Sequence, residues 1–208
     1  MTAIDAVTLE VTDPVGATRF YADAFGLDSQ LNLRAATGPS EGFRGFTLSL
    51  TVAQPADVNL LTDAAAEAGA TVLKAAEKSM WGYGAVLRAP DGTIWKVATS
   101  AKKDSGPATR DVESIVLLLG CADVGAAKRF YVEHGLPVAR SFGRMYVEFE
   151  TGSGAITLGL YRRRALAKVA GVDQEGSGSH RIAIAGTGAP FTDLDGFAWE
   201  TSTLAARP

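Results

Sequence analysis

Histidine and cysteine, the residues most often used for metal and nucleophile chemistry, are scarce in this chain. Histidine occurs twice, as His134 and His180, so a site that needs three histidines cannot be built. Cysteine occurs once, as Cys121, which leaves no partner for an intramolecular disulfide and suits a reducing compartment. No Ser-His-Asp or Cys-His nucleophile can be assembled convincingly, and no glycine-rich phosphate loop is present. Two stretches offer binding chemistry instead. Ser79-Met80-Trp81-Gly82-Tyr83-Gly84 sets two aromatics among glycines, which either stack on a planar ligand or pack as core. Arg162-Arg163-Arg164 is either a solvated loop or a clamp over an anionic group. The balance of 20 Lys+Arg against 23 Asp+Glu argues against a nucleic-acid partner, which selects for a strongly basic surface.

The elements that must position these residues come from a repeat. Asp13-Pro14-Val15-Gly16-Ala17-Thr18-Arg19-Phe20-Tyr21, ending in Gly26-Leu27, recurs as Asp123 to Tyr131, ending in Gly135-Leu136. Asp91-Gly92-Thr93-Ile94-Trp95-Lys96 recurs as Asp195-Gly196-Phe197-Ala198-Trp199-Glu200. Two matches in the same order make the chain two copies of one domain. The 208 residues, 47% of them hydrophobic, suffice for a packed core in such a pair. In each copy an alternating strand (Ala6–Val11, Ile115–Leu119) leads to an Asp N-cap and a helix stopped by glycine. Further strands are predicted at Phe46–Val52, Ala70–Leu73, Gly84–Arg88, Thr93–Thr99, Val138–Ser141, Arg144–Glu150, Ala155–Tyr161, His180–Ile184 and Phe197–Thr201, with a helix at Ala56–Ala68. Arg162–Arg164 is placed in a loop. The class is α+β. No apolar run approaches the ~20 residues of a membrane helix, and the acidic N-terminus lacks a targeting signature.

The strand, the capping Asp, the helix ending in Phe-Tyr…Gly-Leu and the later Asp-Gly-x-x-Trp-[Lys/Glu] together resemble the vicinal oxygen chelate superfamily. That superfamily includes glyoxalase I, extradiol dioxygenases, and fosfomycin and bleomycin resistance proteins. The resemblance spans nearly the whole chain. It implies tandem βαβββ modules forming two cup-shaped mixed or antiparallel sheets with helices outside. The first glyoxalase-like domain covers 1–100 with a short first module, 101–111 is a polar linker, and the second domain covers 112–208 with a short second module.

Metal-using members of that superfamily hold a divalent ion on the first strand of each module and on the strand after Asp-Gly. The resemblance places Ala6, Thr47 and Lys96 there in the first copy, a set without metal chemistry, because an ammonium has no lone pair. In the second copy it places Val116, His180 and Glu200 there. His180 and Glu200 are then candidates for a metal or an acid/base dyad. The competing reading makes His180 a polar strand-start residue and Glu200 an ion-pair partner. Alternation puts Glu10 and Lys96 in a polar first cup. It puts Val116, Leu118, Ile182 and Ile184 in a more apolar second cup, and the resemblance places Trp81 and Tyr83 in a loop at a cup rim. Trp95, Trp199, Phe20, Tyr21, Phe130 and Tyr131 fall to the core.

The implied function is metal-independent binding of a small drug or metabolite, apolar or aromatic, with no cofactor. The alternative is a divalent-metal-dependent lyase, isomerase or oxygenase working in the second domain. A third reading has both cups filled by side chains and a partner-binding role. The expected state is a cytoplasmic monomer or homodimer with neither a nucleic-acid nor a membrane partner.

Overall fold

The computed structural model describes residues 3–27, 31–80, 82–150 and 156–202. The first copy runs β1 (Ile4–Val11), α1 (Pro14–Phe25), β2 (Leu31–Ala35), β3 (Ser40–Gly42), β4 (Phe46–Thr51), α2 (Pro55–Glu67), β5 (Thr71–Ser79), β6 (Gly82–Arg88) and β7 (Ile94–Thr99). The second runs β8 (Ser114–Cys121), α3 (Val124–Glu133), β9 (Val138–Phe142), β10 (Tyr146–Phe149), β11 (Ile156–Arg162), α4 (Arg163–Ala170), β12 (Gly176–Gly178), β13 (Ile182–Gly186), β14 (Phe191–Thr192) and β15 (Ala198–Thr201). No helix among the described residues is long and apolar enough to cross a membrane.

The repeated motifs fold as their chemistry requires. The Asp13 carboxylate accepts from the Gly16 N–H at 3.0 Å, and Asp123 accepts from Gly125 and Ala126, so each helix start has its free donors satisfied. The two halves of the repeat then meet in the core. The indole N–H of Trp95 donates to the Tyr21 hydroxyl at 3.3 Å, and that of Trp199 donates to Tyr131 at 3.3 Å. Each tyrosine donates onward to an acid, Tyr21 to Asp91 at 2.7 Å and Tyr131 to Asp193 at 2.5 Å. Burial and the adjacent carboxylate push both phenols well above their ordinary pKa. The Trp–Tyr pair of the motif therefore ties helix to sheet twice, while the acid at its end differs: Asp91 of the Asp-Gly turn in the first copy, Asp193, two residues before that turn, in the second.

The strands do not close within each copy. The sheet order is β14-β15-β13-β1-β11-β8-β4-β7-β6-β5, with β2 on β1, β10 on β11 and β9 on β10. Across the copies β4 pairs with β8 over Phe46–Thr51, and β1 pairs with β13. Two walls result. The larger one, β9-β10-β11-β8-β4-β7-β6-β5, joins the second module of copy one to the first module of copy two. The smaller one, β2-β1-β13-β15-β14, joins the two short modules. Among the described residues one ladder pair, Ile4 with Ile156, links the walls.

Residues 101–111 lie against α2. The Gln54 amide oxygen accepts from Ser105 and Gly106, its nitrogen donates to the Pro107 carbonyl, and Asp57 accepts from Thr109. This polar stretch is thus pinned, although its composition resembles a flexible tether.

Helix α4 corrects the loop expected after Arg162. It presents Leu166, Ala167 and Ala170 to Val86, Ile94, Leu118 and Tyr161. Those four partners come from β6, β7, β8 and β11, and with β4 between β7 and β8 they span five neighbouring strands. Laid flat, five strands would spread over about 19 Å, whereas eight helical residues extend only about 12 Å. The larger wall must therefore curl around α4, which crosses its concave face as a strap. Lys74 of β5 ties down the far end by donating to the Lys168 and Val169 carbonyls at 2.9 and 2.6 Å. Gly120 sits where the strap begins, since a Cβ there would lie 3.0 Å from the Arg163 backbone.

Candidate functional site

Register fixes what faces the strap, because residues opposite one another in a ladder share a face. Lys96 lies opposite both Ser49 and Val86, Ser49 opposite Val116, and Val116 opposite Thr157. One step toward the strap lie Thr47, Leu118 and Gly159. Phe46, Leu48 and Leu50 point the other way, into the helix-covered core. The concave face therefore carries Lys96, hydroxyls and aliphatic side chains, and toward β10 also Glu148, opposite Gly159, which accepts from the Tyr146 hydroxyl at 2.6 Å.

Several sequence expectations change here. Lys96 and Glu10 do not share a cup: Lys96 belongs to the larger wall and Glu10 to the smaller one. Val116 and Leu118 are likewise separated from Ile182. Ile182 and Ile184 lie opposite Leu9 and Val7 and are buried in the main core, so they line no cup. Two causes act. Each wall draws one module from each copy, so partners inferred within a copy end up on different walls. Ile182 and Ile184 occupy the face of β13 shared with Val7, Leu9 and Trp199, which is the core face.

His180 is also displaced. β13 begins at Ile182, and Arg181 before it adopts φ 55°. Matching the ladder pairs Leu48–Trp95 and Ile184–Trp199 makes Arg181 the counterpart of Gly45, which has φ 85°. His180 then corresponds to Arg44, outside the strand. Its ring stacks on Phe197 at 4.1 Å, and its nitrogens lie 2.5 Å from the Arg44 carbonyl and 3.0 Å from the Asp195 carbonyl. With both nitrogens turned to backbone oxygens, neither lone pair faces a metal. His134 caps α3 and stacks on Phe130.

Glu200 does face the concave side of the smaller wall, but Arg34 claims it. The guanidinium bridges Glu10 and Glu200 at 2.8 Å each. Among the described residues no three His, Cys, Asp or Glu side chains converge. Among the described residues neither wall gathers donors enough for a divalent ion: one presents Thr47, Lys96 and Val116 with a single carboxylate, Glu148, and the other presents Ala6 with Glu10 and Glu200 bridged by Arg34. Tyr83 donates to Asn59 at 2.9 Å and packs beside the core, while Trp81 lies outside the described residues. Cys121 is buried, and burial with the nearby acids Asp195 and Asp193 pushes its thiol far up, so it is no nucleophile.

The open space lies at the end of the concave face that α4 leaves uncovered. A hollow of about 340 Å³ opens between the Gly42–Arg44 segment, the Asp91–Thr93 turn and the loop after α4. Phe43, Ile94 and Val172 supply apolar wall; Ser40, Thr93, Arg44 and Arg88 supply polar groups. Arg44 is placed by the turn. Gly92 takes φ 88°, and a Cβ on it would reach 2.8 Å from the Arg44 guanidinium, so glycine both makes the turn and leaves room. The guanidinium donates to the Asp91 carbonyl and to the Thr93 hydroxyl. Burial lowers its proton affinity, the Asp91 charge opposes that, and Arg181 adds to it. Arg163 secures the Phe43 segment from behind the lining, donating to the Phe43 and Gln174 carbonyls with its guanidinium 5.3 Å from the Phe43 ring centre. Arg44 and Arg88 are candidate site residues that sequence reading missed. The signal was a Gly-Phe-Arg-Gly segment immediately before a strand.

No protein-family model matches the chain, and no curated protein matches it. Solved structures do. Glyoxalase I from Zea mays superposes with TM-score 0.64 at 13% identity, over 96% of this chain and 91% of that one. A putative dioxygenase from Bacillus subtilis subsp. subtilis str. 168 superposes with TM-score 0.54 at 13% identity, over 93% and 71%. The chain has the mixed α+β fold of the vicinal oxygen chelate superfamily.

Proposed function

We propose that this chain, built on the glyoxalase fold, is a metal-independent small-molecule binding protein whose ligand sits in the hollow between the strap and the Asp91–Thr93 turn. One observation carries the reading. The concave positions from which this fold would supply metal donors hold Thr47, Lys96 and Val116, yet a hollow with apolar walls and convergent polar groups remains at the end of the same face. A cup kept only as core would have no use for that space. Ligand binding to the folded state alone stabilises it, by about 2.7 kcal/mol at a hundred times Kd. A thermal-shift panel of drugs and metabolites is expected to give several degrees of stabilisation with at least one chemical class, unchanged by EDTA. Absence of any shift across a broad panel, or one tightly bound metal per chain by elemental analysis, overturns the reading.

A further inference from the structure

The placement of charge around the hollow narrows the class of its ligand: Arg44 and Arg88 stand on the strand-and-turn side, and the two acids of the lining, Asp173 and Glu175, stand on the loop after α4. Arg44 is half-buried and spends its donors on neutral oxygens, the Asp91 carbonyl and the Thr93 hydroxyl. The nearest acid is already committed: the Asp91 carboxylate accepts from the Tyr21 hydroxyl at 2.7 Å and from the Thr93 N–H at 2.7 Å. Arg88, opposite Ile94 on the concave face, is exposed at the same opening. Among the described residues neither arginine forms an ion pair. A third cation, Lys96, lies two residues beyond Ile94 on the same face, about 7 Å deeper. The acids on the opposite wall, Asp173 and Glu175, are exposed on the loop after α4.

A guanidinium held out of water and given only neutral acceptors is ready for an anion, and its planar fork suits carboxylate and phosphate oxygens. We infer that the hollow takes an organic anion, a carboxylate or phosphate on a small apolar body, with Arg44 as its counter-charge and Arg88 at the entrance. The anionic group lies against Arg44 and the Thr93 hydroxyl, and the apolar body lies against Phe43, Ile94 and Val172. This rests on the reading of the hollow as the ligand site.

Titration of the full chain, followed by NMR shifts of Arg44, Thr93 and Ile94, tests it with three probes: benzoate, phenyl phosphate and neutral benzamide. Benzoate or phenyl phosphate is expected to bind at the hollow at least tenfold more tightly than benzamide; which of the two binds identifies carboxylate or phosphate as the group. Arg44→Gln, which keeps a donor but no charge, should lose that preference. Arg88→Gln, a surface change, should weaken the anion several-fold. Asp173→Asn with Glu175→Gln should tighten it, a gain that a merely structural Arg44 would not produce. Benzamide binding as tightly as the anions, or an anion unaffected by all these variants, overturns the anion class while leaving small-molecule binding intact. Failure of all three probes overturns the anion class as well, and the broad panel then decides whether the hollow binds anything.

Discussion

At the residue scale the informative side chain is Lys96. Its position was legible in the sequence, because Asp91-Gly92 sets the turn and Trp95 must face the core to reach Tyr21. Its chemistry was legible too, since an ammonium cannot ligate a metal. Its surroundings were not, because they come from β4 and β6, which pair on either side of it, and from Lys74 of β5. Burial, helped by the Lys74 ammonium, lowers its proton affinity below that of an ordinary lysine. The unfolded chain keeps that proton up to about pH 10.4. Between the folded and unfolded values the unfolded state binds more protons, so this group's contribution to stability rises with pH. At neutral pH it is a cost. Lys96→Met, of similar length and without the charge, is therefore expected to raise the melting midpoint at pH 7 by about 2–4 °C for each kcal/mol recovered. The gain should shrink as the pH approaches 10. A variant that melts lower at pH 7, or an advantage that grows with pH, contradicts the burial of an uncompensated charge.

At the scale of elements the strap α4 was the main omission. Arg162-Arg163-Arg164 drew attention as a charged loop, whereas the helical signal was Leu166, Ala167 and Ala170 at one-face spacing, closed by Gly171 with φ 76°. Strands and caps were easier, because Asp13, Asp123 and the alternating runs act through neighbours in sequence. The strap's packing has a dynamic consequence. Its buried residues form a cluster of their own with Phe43, Val86 and Ile94, apart from the large core that holds both Trp–Tyr chains. Such a unit can open below the free energy of global unfolding. Leu166 is fully buried in it, and truncating a buried leucine costs about 2–5 kcal/mol. Leu166→Ala is expected to speed amide exchange through Arg163–Ala170 by about 1.5 to 3.5 orders of magnitude, with far smaller change in β1, β4 and β8. Uniform acceleration across the sheet would instead make the strap part of the main cooperative unit.

For the whole molecule, the sequence announced two copies but not how they share their strands. A repeat reports local similarity, and local similarity is silent on whether a module closes with its sibling or with the other copy's module. The ladder decides: β4 joins β8 through six residue pairs and β1 joins β13 through five. Each wall, and the core beneath it, needs both copies. The two abridged modules also make sense this way, since they meet in the smaller wall and leave the larger one complete. Cutting the chain should therefore separate halves that cannot bury their own strands. Residues 1–105 alone would expose the edges of β4 and β1 together with the apolar face shared with Leu117 and Leu119, a surface that aggregates. Expressed alone, either half is expected to aggregate or to lack a cooperative melt. Co-expression of 1–105 with 106–208 should restore a soluble heterodimer with the near-ultraviolet circular dichroism of the intact chain. A folded, monomeric 1–105 with a cooperative transition would show that each copy can close on itself, and the larger wall would no longer be a joint product of both.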